Sequence, residues 1–204
     1  MLSRQSPQAR PAIDLLSLLN EEFKEHRETF EAATRMLGPP FLATVEILTN
    51  ALQQGGKLLL FGNGGSAADA QHIAAELIVR YKTDRAPIPA LALTTDSSVL
   101  TACANDLGFD ALFERQIAGI GRAPDVAIGI STSGRSSNVL KGVEQARHMG
   151  LRTIALTGSA GQEFARLCDA AIVVPSVVTA RIQEMHIFIG HAWCKALEGS
   201  LGLL

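Results

Sequence analysis

The chain has 204 residues, 47% hydrophobic and 19% charged, enough to bury one sizeable α/β core with a short helical extension. A formal net charge of −2 excludes the basic face that a phosphate backbone requires, so no nucleic-acid partner is expected. No stretch approaches the roughly 20 apolar residues that span a bilayer, so no membrane partner is expected either.

Met1–Pro11 reads as a loose polar tail, without the continuous apolar run of a secretory signal. From about Ala12 to Leu37 apolar residues recur at helical spacing: Leu15, Leu16, Leu18, Leu19, Phe23, Phe30, Ala33 and Met36. Gly38-Pro39-Pro40 ends that helix, and a second is expected from about Phe41 to Gln54. Residues 12–56 therefore form a helical segment ahead of the first strand. Its apolar faces pack on the chain's own sheet, on another subunit, or on both.

Beyond Gly56, short apolar runs alternate with helical segments. Lys57–Phe61, Ala90–Leu93, Val126–Ile130, Thr153–Leu156 and Ala171–Val174 read as five strands. Helices are expected near 67–80, 97–104, 110–120, 136–149, 160–166 and 179–199. Crossover helices between short apolar strands make βαβ units, hence a parallel sheet covered on both faces. The expected fold is a three-layer α/β/α domain over residues 57–204, with five parallel strands. Ligands in such sheets sit beyond the carboxyl ends of the strands.

The loops at those ends hold the unusual residues. Gly62-Asn63-Gly64-Gly65-Ser66 follows the first strand; its glycines admit close backbone approach, and Ser66 is expected to cap the next helix. The pattern is neither G-x-G-x-x-G nor a Walker loop, so a nucleotide is not indicated. Ser131-Thr132-Ser133-Gly134-Arg135-Ser136-Ser137 follows the third strand and reads as a neutral phosphate cradle of hydroxyls at a helix start. Thr94-Thr95-Asp96 and Asn105-Asp106 are polar turns or sugar contacts.

Two helices carry groups able to move protons or hold a metal. His72 and Glu76 stand four apart and share a face. Gln183, Ile187 and His191 form a drifting stripe on the last helix, with His186 as a second candidate that reads better as a structural histidine. Cys103, Cys168 and Cys194 are three widely spaced cysteines with no C-x-x-C pair, expected to be buried thiols in a reducing, cytoplasmic setting.

Together, GNGGSAADAQHIAAEL, LTTDSSVLTACANDLGF, ISTSGRSSNVLKG and TARIQEMHIFIGH resemble the sugar isomerase (SIS) domain, and within it the phosphoheptose isomerases, from about Phe61 to Glu198. The resemblance implies conversion of D-sedoheptulose 7-phosphate to D-glycero-D-manno-heptose 7-phosphate through an enediol, the first step of bacterial heptose precursor biosynthesis. It implies a homotetramer with active sites between subunits and one zinc ion per subunit. Zinc ligands then fall on His72, Glu76, Gln183 and His191, with Glu76 and His191 as the catalytic base and acid. Substrate contacts fall on Asn63, Gly64, Gly65, Ser66, Glu76, Asn105, Asp106, Ser131, Thr132, Ser133, Ser136 and Gln183. Arg135 stands where many relatives carry a small amide. A related SIS protein that binds the replication initiator DnaA offers the alternative, a protein without catalysis.

Overall fold

The computed structural model describes residues 14–204, so the expected tail at residues 1–11 lies outside the described residues. Helix α1 spans Leu15–Met36, and the Asp14 carboxylate caps it by accepting from the amides of Leu16 and Ser17 at 3.1 and 3.2 Å. Helix α2 spans Gly38–Gln53, starting earlier than expected. Pro39 and Pro40 stop α1 yet fit the first turn of α2, where a missing N–H forfeits no intrahelical bond.

The sheet follows. Strands β1 (Leu58–Gly62), β2 (Ala90–Ala92), β3 (Val126–Ser131), β4 (Arg152–Gly158) and β5 (Ala170–Val174) are all parallel, in the order β2-β1-β3-β4-β5. The five expected strands are present, β4 the most extended relative to its apolar run. Between them lie α3 (Gly65–Ile78), α4 (Ser97–Asp106), α5 (Leu112–Ile120), α6 (Ser137–His148) and α7 (Gln162–Leu167), and α8 (Thr179–Ser200) follows β5. A 3-10 turn at Phe109–Ala111 replaces the expected start of α5, and another at Ser159–Gly161 precedes α7.

Alternation along the strands divides the core in two. Leu58, Leu60, Val126, Ile128, Ile154, Leu156 and Ile172 pack against α2, α3 and α8. Leu59, Phe61, Ala127 and Ala155 pack against α4, α5, α6 and α7. Burying each large apolar side chain contributes about 2 kcal/mol, which is why the strands carry few polar residues. Trp193 of α8 is fully buried, and its indole N–H donates to Thr44 Oγ1 of α2 at 2.9 Å.

Helix α1 behaves differently from α2. It buries only Thr29 and Ala33, while Leu16 and Phe23 are 74% and 58% exposed. Polar bonds tie it to α8: Arg181 donates to the Glu22 carboxylate at 2.9 Å, and His26 Nδ1 lies 2.7 Å from Glu184 Oε2, whose other oxygen accepts from Arg181 within α8 at 2.6 Å. The three cysteines are free, with Cys103 and Cys194 buried and Cys168 partly so. No described helix is long and apolar enough to cross a membrane.

Candidate active site

The strand order reverses direction between β1 and β3, and the crevice at such a switch point is where open parallel sheets hold ligands. The two loops read as binding loops from the sequence leave these two neighbouring strands. The first is joined to the opening turn of α6, just after the second, by side-chain amides: Asn63 Nδ2 donates to Asn138 Oδ1 at 2.8 Å, and Asn138 Nδ2 returns a bond to Asn63 Oδ1 at 2.9 Å.

The loop after β3 folds on its own hydroxyls. Ser131 Oγ sits 3.1 Å from Ser136 Oγ and accepts from the Gly134 amide at 3.1 Å, while Ser133 Oγ accepts from the Arg135 amide at 3.2 Å. Gly134 holds φ at +66°, and a Cβ there would lie 2.5 Å from Gly161 Cα, so only glycine allows the turn. Ser136 occupies the N-cap of α6 without a side-chain capping bond. The first amides of a twelve-residue helix thus open towards the crevice beside Ser131, Thr132, Ser133 and Ser136. Arg135 is exposed.

The loop after β1 corrects the expected cap of α3. Gly64, at φ +56°, is the N-cap, and the helix begins at Gly65, so Ser66 lies inside the first turn and is buried. The cause is steric: glycine reaches a conformation closed to serine, so the chain turns earlier. Gly65 has a second constraint, because a Cβ there would lie 2.3 Å from Gln183 Nε2. The Gln183 carboxamide therefore rests against the start of α3.

Two turns further along, α3 and α8 meet again. His72 Nε2 lies 2.9 Å from His191 Nε2 and 3.6 Å from Glu76 Oε1. One ligand atom from each of His72, Glu76 and His191 falls within 4.8 Å of the others, which suits a single divalent cation held by two imidazoles and a carboxylate. Gln183 stands eight residues before His191, about 12 Å back along the axis of α8, and belongs with the loop end of this groove. Asn105 and Asp106 bond each other at 2.7 Å at the exposed end of α4 and share no hydrogen bond with either loop among the described residues.

Three nearby residues escaped the sequence reading. Tyr81 stacks on His191 with ring centroids 5.3 Å apart. Asn138 pairs with Asn63 as described. Asp69 lies one turn before His72; its Oδ2 is buried without a partner among the described residues, and burial pushes its carboxyl up to about 6 against the opposing pull of His72. Only Asp69 carried a signal, since Gly65, Asp69, His72 and Glu76 follow helical spacing on one face. His186, by contrast, is fully buried with Nε2 3.3 Å from the Thr157 carbonyl, a core histidine as its structural reading had it.

The SIS domain family matches residues 23–158, from α1 to the end of β4. A phosphoheptose isomerase of Paramagnetospirillum magneticum is 52% identical over 182 residues, covering 89% of this chain and 95% of that protein. The chain belongs to the phosphoheptose isomerase family. It is a sugar-phosphate isomerase on an SIS fold, and solved phosphoheptose isomerases superpose closely on it. The one from Neisseria gonorrhoeae gives a TM-score of 0.86 at 42% identity, covering 91% of this chain and 99% of the other. That from Francisella tularensis gives 0.88 at 34% identity, covering 92% and 100%. These two structures share the fold found here over nearly their whole length.

Proposed function

We propose that this protein converts D-sedoheptulose 7-phosphate to D-glycero-D-manno-heptose 7-phosphate, opening cytoplasmic synthesis of bacterial heptose precursors. The observation that carries the reading is the meeting of His72, Glu76 and His191 on facing sides of α3 and α8. The replication-initiator alternative gives that cluster no task.

The chemistry follows from the residue types. Glu76 takes a proton from C1 while His191 protonates the C2 carbonyl oxygen, giving a cis-enediol. Glu76 then returns its proton to C2, and His191 recovers one from the C1 hydroxyl as the aldehyde forms. Ser131, Thr132, Ser133 and Ser136, with the first amides of α6, hold the phosphate. Asn63, Gly64, Gly65, Ser66, Asn105, Asp106 and Gln183 are proposed to orient the hydroxyls. His72, Glu76 and His191, with Gln183 as a fourth ligand, would hold one zinc ion per subunit, which when bound polarises the substrate carbonyl as a Lewis acid.

Assembly completes the proposal. The span of about 12 Å between Gln183 and His191 within α8 favours a site in which the partner subunit's Gln183 joins the cluster. The exposed apolar face of α1 suits a homotetramer, with residues 12–56 as the assembly segment and 57–204 as the sugar-phosphate domain. The test is turnover of sedoheptulose 7-phosphate by purified protein, with and without zinc, beside Glu76→Gln. Aldoheptose phosphate from the wild type and a loss of at least about 1,000-fold in the variant are expected. A wild type inert under both conditions overturns the reading.

A further inference from the structure

Arg85 belongs to none of the binding motifs. It lies in the connection between α3 and β2, yet its side chain is only 1% exposed. Nε donates to Glu198 Oε1 on α8 at 3.0 Å, and the Glu198 side chain is 2% exposed. The other end of the guanidinium turns to α3: Nη1 donates to the Leu77 carbonyl at 2.6 Å, and Nη2 to the Glu76 carbonyl at 2.9 Å. These are carbonyls of the last turn of α3, where a helix has no amides of its own to offer, and a cation there also meets the negative end of the helix dipole.

One planar group therefore grips the backbone of Glu76 and, on the facing helix, a carboxylate two turns beyond His191. Cys194 is buried on α8 with Glu76, Glu198 and Arg85 as its charged neighbours, and burial followed by the two carboxylates pushes its thiol up to about 12. Elsewhere the seam between α3 and α8 includes apolar packing, as where Ile73 covers Gly190. A buried ion pair gives little net stability over an apolar pair of the same shape, because desolvation offsets attraction. Three directed hydrogen bonds to α3 and α8 do what apolar packing cannot, which is to fix an angle and a distance.

We propose that Arg85 and Glu198 are positioning residues for the isomerisation: they hold the end of α3 that carries Glu76 at a set distance from the His191 stretch of α8. The inference rests on Glu76 and His191 being the proton-transfer pair. Neither Arg85 nor Glu198 touches substrate. Their effect passes through the placement of Glu76, where a displacement near 1 Å costs about 100-fold in rate.

The experiment compares the wild type with Arg85→Met/Glu198→Leu, Arg85→Lys and, as control, Lys57→Met. Lys57, just before β1, pairs with the buried Asp125, just before β3. Tm, kcat and KM for sedoheptulose 7-phosphate are measured on the full chain. The apolar double variant is expected to hold Tm within about 5 °C and KM within about threefold, while kcat falls about 100-fold. Arg85→Lys keeps the charge and loses the fork, and is expected to fall between the two. Lys57→Met should lower Tm and leave kcat unchanged. A double variant with kcat within about twofold of wild type overturns the inference. Should the double variant fail to fold, Arg85→Lys decides, and wild-type kcat there overturns it equally. A wild type inert on the substrate instead refutes the underlying proton-transfer assignment, and the inference falls with it.

Discussion

Asn63 and Asn138 exchange two hydrogen bonds, at 2.8 and 2.9 Å, between the loop that follows β1 and the first turn of α6. Each amide satisfies the other, which fixes the spacing of the β1 loop and the start of α6 at the crevice. Asn138→Ala leaves Asn63 facing a void, and losing such a partner costs about 1–3 kcal/mol. KM should rise roughly 5- to 50-fold with a smaller change in kcat, and inhibition by inorganic phosphate should weaken in parallel. Steady-state kinetics of the variant check this; unchanged KM and unchanged phosphate inhibition would remove the amide pair from the binding machinery.

The His72–Glu76–His191 cluster makes metal removal informative. Two imidazole nitrogens 2.9 Å apart share at most one proton between them, so the cluster needs a cation or a hydrogen to be at rest. Zinc at a hundredfold excess over its Kd should stabilise the fold by about 2.7 kcal/mol. Thermal melts with chelator and with added zinc read this directly, and His72→Ala should abolish the difference. Identical melts in all conditions would remove the metal assignment.

His186 gives an acid-side prediction. Burial pushes its pKa down from 6.5 to about 4, only partly offset by the bond to the Thr157 carbonyl. Between those values the unfolded chain takes up a proton that the folded chain refuses, so stability is present above pH 6.5 and lost towards pH 4. The loss reaches about 3 kcal/mol. His186→Gln keeps a donor for Thr157 and cannot titrate. Compared with wild type, its Tm should fall less between pH 7 and pH 4; parallel curves would show that another group governs the acid limb.

The apolar stripe of α1 predicts a change of assembly without a change of fold. Leu16, Leu19 and Phe23 are exposed on one side of α1, towards its amino end. Phe23→Glu places a charge in that stripe. Sedimentation should show a smaller species than wild type, with helical content retained. A variant that sediments as wild type would place the contacts between subunits on another surface.

The fold was legible because its signals are local. Five apolar runs, each bounded by turn residues, can only be buried strands, and the helices between them dictate parallel order. His72 and Glu76 were legible as a pair because four residues bring a helix back to the same face. What could not be read was everything fixed across the sheet. Asn138 finds Asn63, Tyr81 finds His191 and Arg85 finds Glu198 over intervals with no period. Ser66 misled for a local reason, since serine caps helices well but Gly64 turned the chain first. The apolar spacing of α1 was correct as a helix and silent about which side another body would cover.

Gln183, His191 and Glu198 hang from one helix at intervals of eight and seven residues, which makes α8 a ruler with no slack. Inserting or deleting a single residue between Gln183 and His191 rotates everything beyond it by about 100°. His191 would then leave His72, Glu198 would leave Arg85 and Trp193 would leave Thr44, all from one codon. The interior of this helix can change letters, but its count is fixed.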